Sequence, residues 1–257
     1  MKDIGALMTK LEEQARWVKT GGAIAASGVW FSYPNRPAIL QDLSFSILPR
    51  ERVGLIGSNG AGKTTLFLTI CGLLSPTGGT LTLLGKPIIK GEFRPEIGLV
   101  FQNPDDQLFC ASVRDDVAFG AENLGLDPEE VDRRVHQALS ATGVLPLIDR
   151  VPHQLSGGEK CMVAIASVLV MHPKVMLYDE PSANLDLRAR RRLIRFLQQS
   201  QQTLAIASHD LEMILEVCDR VLLLDRGQVV ADGKPQTIMS DRTLMETNGL
   251  EVPLSLT

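Results

Sequence analysis

Aromatic residues are scarce in this chain of 257 residues: two tryptophans, two tyrosines and eight phenylalanines make up 5%. Positive charge is not in excess, since 26 lysines and arginines face 30 aspartates and glutamates, a net charge of −4. Lacking both a basic footprint and stacking platforms, the chain is not expected to bind nucleic acid. Its four cysteines (Cys71, Cys110, Cys161 and Cys218) lie far apart with no C-x-x-C spacing. That excludes a disulfide framework and reads as buried thiols in a reducing compartment. The four histidines are equally scattered and offer no metal-ligand spacing. The longest apolar run, Cys161 to Met171, is too short to cross a bilayer. Residues 1–20 carry Asp3, Glu12 and Glu13 and no long apolar stretch, which does not fit a secretory leader. The expectation is a soluble, cytoplasmic chain with ample length for a core.

What the chain does contain is centred on residues 53–65, VGLIGSNGAGKTT. A short apolar run feeds a glycine-rich turn that opens into a helix-forming segment, Leu66 to Cys71. The G-x-x-x-x-G-K-T pattern is a phosphate-binding loop with a strand before it and a helix after it. Gly57, Gly60 and Gly62 let the backbone curl, so that the loop through Ser58, Asn59 and Ala61 turns its N–H groups toward phosphate oxygens. The helix start adds partial positive charge there. Lys63 supplies a point charge for the β- and γ-phosphates, Thr64 a hydroxyl ligand for Mg²⁺, and Thr65 a donor to the α-phosphate.

Further along, several residues stand at the ends of expected strands. The run 175–181, VMLYDEP, is a buried strand closing in two carboxylates. Alternation sends Asp179 and Glu180 to opposite sides, one to hold Mg²⁺ and the other to act as general base on the attacking water. Gln102 follows the strand Ile97–Phe101 and can reach Mg²⁺ or water at the γ-phosphate. Thr203–Asp210 reads as another core strand with His209 at its end, at the edge where open sheets bind ligands. Leu155-Ser156-Gly157-Gly158-Glu159 opens an apolar helix and forms a second anion site. One nucleotide seldom needs two such sites unless two copies share it. Asp186 is placed to cap the arginine-rich helix that follows, and that basic run reads as a solvated face.

The remaining segments set the frame. Val29–Tyr33, Leu43–Ile47 and Thr80–Leu84 read as strands. Tyr33 is either an ordinary strand aromatic or a ring offered to adenine. From Ser112 to Gly143 the pattern is helical: Ser112 stands three before Asp115, and Asp127-Pro128-Glu129-Glu130 begins a helix with Val131, Val135, Ala138 and Leu139 on one face. Residues 4–18 repeat apolar side chains at helical spacing, suited to packing on their own domain, to a loosely ordered tail, or to docking on a partner or membrane.

The ordered set Tyr33, Gly57–Thr65, Gln102, Leu155–Glu159, Val175–Glu180, Ser182–Asp186 and His209 resembles the ATP-binding-cassette (ABC) ATPases over roughly residues 24–240. The Leu-Ser-Gly-Gly element separates that family from other phosphate-loop proteins. The resemblance implies an α/β fold: a P-loop NTPase (RecA-like) core over 23–102 and 159–240 with an antiparallel β subdomain. It also implies an inserted helical subdomain at 103–158, an N-terminal extension at 1–22 and a tail at 241–257. It implies two ATP-binding subunits, identical or not, dimerising head to tail. Each ATP would lie between the phosphate loop of one copy and Ser156, Gly157, Gly158 and Glu159 of the other. Tyr33 would then stack on adenine and Gln102 sense the γ-phosphate. Glu180 would be the catalytic glutamate, Asp186 the dimer contact and His209 the switch residue. Mg²⁺ would be held by Thr64, Gln102 and Asp179. Two residues depart from the family pattern: Glu159 stands for a glutamine, and Met162 for an arginine.

Phe101–Phe109 (FQNPDDQLF) and Asp116–Gly120 (DVAFG) are similar to the energy-coupling-factor and cobalt/nickel importer ATPases, although Asp105-Asp106 also suits a solvated loop. The expected activity is ATP hydrolysis on the cytoplasmic face of a membrane, coupled through integral membrane subunits to uptake of a transition-metal ion or a vitamin. A soluble, non-transport cassette, a cassette of another transporter class, and a degenerate cassette are the alternatives.

Overall fold

The computed structural model describes residues 22–257, so the expected N-terminal helix lies outside the described residues. The chain divides into two compact units: one runs up to Phe93 and resumes at Cys218–Thr257, and the other is Arg94–Val217.

The first unit begins with a long antiparallel pair, β1 (Ile24–Ser32) and β2 (Ala38–Ile47). β1 starts five residues before the apolar-aromatic run Val29–Tyr33, because Ile24, Ala25 and Ala26 are buried although two of them have little intrinsic strand preference. β4 (Gly78–Leu83) and β5 (Lys86–Pro87) complete a sheet in the order β2-β1-β4-β5. β3 (Arg52–Ile56) is apolar throughout after Arg52 and pairs parallel with β9 (Arg220–Asp225). β10 (Gln228–Gly233) folds back on β9, and α1 (Lys63–Ile70) follows β3. Arg52 and Asp219 tie the starts of β3 and β9 together through a 2.8 Å ion pair.

The second unit carries three parallel strands, β6 (Ile97–Val100), β7 (Val175–Asp179) and β8 (Thr203–Ala207), with β7 between the other two. All five residues of β7 and all five of β8 are buried. Such continuous burial is the mark of a parallel sheet covered on both faces. Between β6 and β7 the chain makes α2 (Val113–Asn123), α3 (Pro128–Ala141) and α4 (Gly157–Leu169). Their starts follow the sequence signals: Ser112 accepts from Asp115 N–H, and Asp127 from Glu130 N–H. Val131, Val135, Ala138 and Leu139 are the buried face of α3. α5 (Leu187–Gln199) connects β7 to β8, and α6 (Leu211–Val217) follows β8.

Two short helices follow β10, one just before the tail at 241–257 and one within it. α7 (Pro235–Ser240) and α8 (Arg242–Thr247) bury Met239 and Met245 completely. Among the described residues no helix is long and apolar enough to cross a membrane.

Candidate nucleotide site

The loop after β3 has the shape its glycines promise. Gly57 has φ 151°, and a Cβ there would stand 2.2 Å from the Leu224 carbonyl oxygen. Only glycine lets the turn lie so close to β9. Gly62 caps α1 with φ 105° and packs against Ile39 and Leu40 of β2, whereas a Cβ on Gly60 would meet nothing within 4 Å. The loop is therefore clamped at both ends and open in the middle. Lys63 is buried, and its Nζ donates to Gly57 O at 2.7 Å and Ser58 O at 3.3 Å, which curls the ammonium over the loop. The amides of the first turn of α1 have no carbonyl one turn back within the helix. A glycine cradle, a lysine and a helix start together fit a phosphate chain. Ser58 is half-buried, Asn59 exposed and Ala61 buried, while Thr64 is exposed and Thr65 half-buried. The tail reaches this loop too, for a Cβ on Gly249 would lie 3.7 Å from Ser58 Cβ. Tyr33, just past β1, meets the Phe31 ring edge-on at 4.9 Å.

In the second unit, β7 ends at Asp179 and the chain turns at once. Glu180 has φ 49°, a left-handed conformation rare for a residue with a side chain. Its direction is thus set by this turn, held by Glu180 N–H donating to Ala207 O at 2.8 Å, and strand alternation does not extend to it. The carboxylate meets His209: the His209 N–H donates to Glu180 Oε2 at 3.0 Å, and His209 Nε2 lies 3.4 Å from Oε1. Sequence reasoning put these two at strand ends, and the parallel pairing of β7 with β8 brings them into contact.

The helix start of α4 is a capping box, with Ser156 accepting from Glu159 N–H and Glu159 accepting from Ser156 N–H. Glu159 therefore folds back on its own helix start. Its pKa is lowered, first by the Ser156 hydroxyl and then by the Ser156 N–H, with Arg192 and Arg150 adding to the effect. Gly158 faces α5 so closely that a Cβ would stand 2.5 Å from Ala189 Cβ. Asp186 caps α5 by accepting from Ala189 N–H at 2.8 Å. Ser156, Gly158, Glu159, Met162, Asp186 and Arg192 border a groove of about 920 Å³. Gln102 lines a separate cavity of about 210 Å³ with Gly157, Lys160 and Asn184.

One participant was not foreseen. Gln107 donates to Ala164 O at 2.8 Å and Ser167 Oγ at 3.0 Å on α4, while its own oxygen accepts from Phe101 N–H at 3.3 Å. Lys160 and Asp105 add an ion pair at 2.6 Å. The segment containing Gln102 is thereby tied to the helix that begins at Ser156.

Residues 40–183 match the model of the ABC transporter family. This chain belongs to that family. A chain of Synechocystis sp. provisionally named an ABC transporter ATP-binding protein is 56% identical over 234 residues, covering 91% of this ABC ATPase and 82% of that chain. The energy-coupling factor transporter ATP-binding protein EcfA of Methanocaldococcus jannaschii is 40% identical over 238 residues, covering 90% and 85%. Among solved structures, cbiO1 of Clostridium perfringens, part of the ABC transporter complex cbiONQ, superposes with a TM-score of 0.80 at 36% identity. That match covers 88% of this chain and 94% of cbiO1. The cassette is thus an ATP-hydrolysing transporter subunit with the mixed fold of its family, antiparallel and parallel strands together.

Proposed function

We propose that this ABC ATPase powers an importer of the energy-coupling-factor type, carrying a transition-metal ion such as cobalt or nickel, or a vitamin. Support comes from the EcfA relatives at 40–42% identity and from the likeness to cbiO1. The observation that carries the catalytic part is the contact of Glu180 with His209.

In this reading Tyr33 stacks on adenine. The amides from Ser58 to Thr65 cradle the phosphates, and Lys63 neutralises the β- and γ-oxygens. Thr64, Gln102 and Asp179 would hold Mg²⁺, which supplies charge neutralisation on the phosphates when bound. Their hydroxyl, amide and carboxylate oxygens are the hard donors that ion prefers. Glu180 accepts a proton from the attacking water, and His209 steadies both that carboxylate and the γ-phosphate. Ser156, Gly157, Gly158 and Glu159 of a second copy complete the pocket from the other side, and Asp186 contacts that copy. Residues 103–158 act as a helical signature subdomain beside the nucleotide-binding core (23–102 and 159–240). Phe109 is 67% exposed beside the exposed Phe119, with ring centroids 5.2 Å apart, a surface suited to membrane-embedded subunits. The cassette then works as a peripheral protein on the cytoplasmic face.

Copurification from detergent-solubilised membranes tests the transport assignment. Membrane-embedded subunits should come down with the cassette, and a soluble complex with no such partner would refute it.

A further inference from the structure

We infer that Glu159 is a positioning residue that withholds the Ser156 hydroxyl from a triphosphate held by a second copy, an inference that rests on the shared pocket proposed above. The Ser156 hydroxyl lies 2.7 Å from Glu159 Oε2, and the same oxygen accepts the Ser156 N–H at 2.8 Å. An ionised carboxylate only accepts, so the single hydroxyl proton of Ser156 points at Glu159. Phosphate oxygens at neutral pH also chiefly accept. Glu159 and a γ-phosphate therefore compete for one proton, and both cannot have it.

The competition is unequal to the one a glutamine would offer. A hydrogen bond to a charged acceptor is about twice as strong as a neutral one. The clasp is short, whereas the return bond from Glu159 N–H to the Ser156 oxygen is long at 3.4 Å. Arg192 and Arg150 lie close enough to favour the ionised carboxylate, as does the Ser156 hydroxyl itself. Ser156 is exposed, so its hydroxyl is free to rotate once released. With glutamine at position 159 the cap on α4 is retained, because a glutamine oxygen still accepts from the Ser156 N–H. What is lost is the stronger half of the clasp.

Glu159 thus raises the ATP concentration at which two copies close on nucleotide. The test measures ATP-driven dimerisation by analytical ultracentrifugation in a Glu180→Gln background, where hydrolysis does not drain the dimer. Adding Glu159→Gln should lower the half-maximal ATP concentration about fivefold, the difference between charged and neutral hydrogen bonds. In a Ser156→Ala background the same change should have no effect, since there is no hydroxyl to release. An unchanged or higher ATP requirement in Glu159→Gln would overturn the inference. So would a fivefold gain that persists without Ser156, because the effect would then be charge alone. If Glu180→Gln itself stays monomeric at every ATP concentration, the shared pocket fails first and takes the inference with it.

Discussion

The backbone N–H of His209 donates to one oxygen of Glu180 while its imidazole Nε2 stands 3.4 Å from the other. A general base needs a fixed direction as much as a suitable basicity. For Glu180, the base proposed above, the direction comes from three sources: its left-handed turn, its N–H bond to Ala207, and the His209 contacts. Glu180→Gln keeps the shape and the acceptor oxygen but removes the proton-accepting charge. ATP binding should persist, and turnover should fall by about 10²–10⁴-fold, the usual contribution of a positioned base. Steady-state phosphate release by the purified protein checks this. Normal turnover in the variant would remove Glu180 from that role.

Next to His209, Asp210 is joined to Arg190 of α5 through two hydrogen bonds, at 2.5 and 2.7 Å. Burial pushes the Asp210 carboxyl up, but the Arg190 guanidinium and the Met213 N–H more than offset it, so its pKa is lowered. The folded state therefore binds the Asp210 proton less readily than the unfolded chain does. Stability from this pair is fully present above the ordinary carboxylate range and is lost as pH falls through the lower folded value. Asp210→Asn should cost about 1.5–3 kcal/mol at pH 7, the range for hydrogen bonds to charged groups. The gap to wild type should shrink in acid. Urea unfolding at a series of pH values would show a constant gap if Asp210 contributed nothing through its charge.

Two glycines at the nucleotide elements should respond differently to a methyl group. Gly57→Ala drives a Cβ into the Leu224 carbonyl at 2.2 Å, a backbone atom that cannot rotate aside. Displacement of the loop should abolish nucleotide binding measured by titration calorimetry. Gly158→Ala meets the Ala189 Cβ at 2.5 Å, so α4 and α5 must separate slightly. Overpacking of that kind costs about 1–3 kcal/mol. Thermal unfolding should detect it while binding to the variant's own phosphate loop stays near wild type. Equal nucleotide affinity in Gly57→Ala would contradict the cradle geometry.

The parts of this architecture that were legible beforehand are those fixed by local chemistry. The phosphate loop, the caps at Ser112, Asp127, Ser156 and Asp186, and the buried face of α3 depend on residues within a few positions of one another. The start of β1 was not legible, because Ala25 and Ala26 enter a strand through burial and pairing. Glu180 was placed by alternation, a rule that stops where φ becomes positive. The tail at 241–257 gave no signal since α8 within it is only six residues, too short for periodicity, and is held by Met245. Gln107 was read only as part of the Phe101–Phe109 run, and its anchoring role was invisible because its partners on α4 stand 57 and 60 positions away.

Gln107 also supports a prediction of its own. Its amide NH₂ bonds Ala164 O and Ser167 Oγ, and its oxygen holds the Phe101 N–H, one residue before Gln102. A neutral amide is needed because the side chain must donate on one side and accept on the other. Gln107→Ala removes both halves and should cost about 1–3 kcal/mol, with a melting point lower by roughly 2–4 °C for each of those. Gln107→Glu keeps the acceptor for Phe101 but turns a carboxylate toward the Ala164 carbonyl, so it should be at least as damaging as alanine. Hydrogen exchange separates this anchor from a merely stabilising contact. The Phe101 amide should exchange faster in Gln107→Ala than in wild type, and faster than in Gln107→Glu if the oxygen alone holds it. Unaltered protection of Phe101 in Gln107→Ala would mean that the segment carrying Gln102 is anchored elsewhere, for example through the Lys160–Asp105 ion pair.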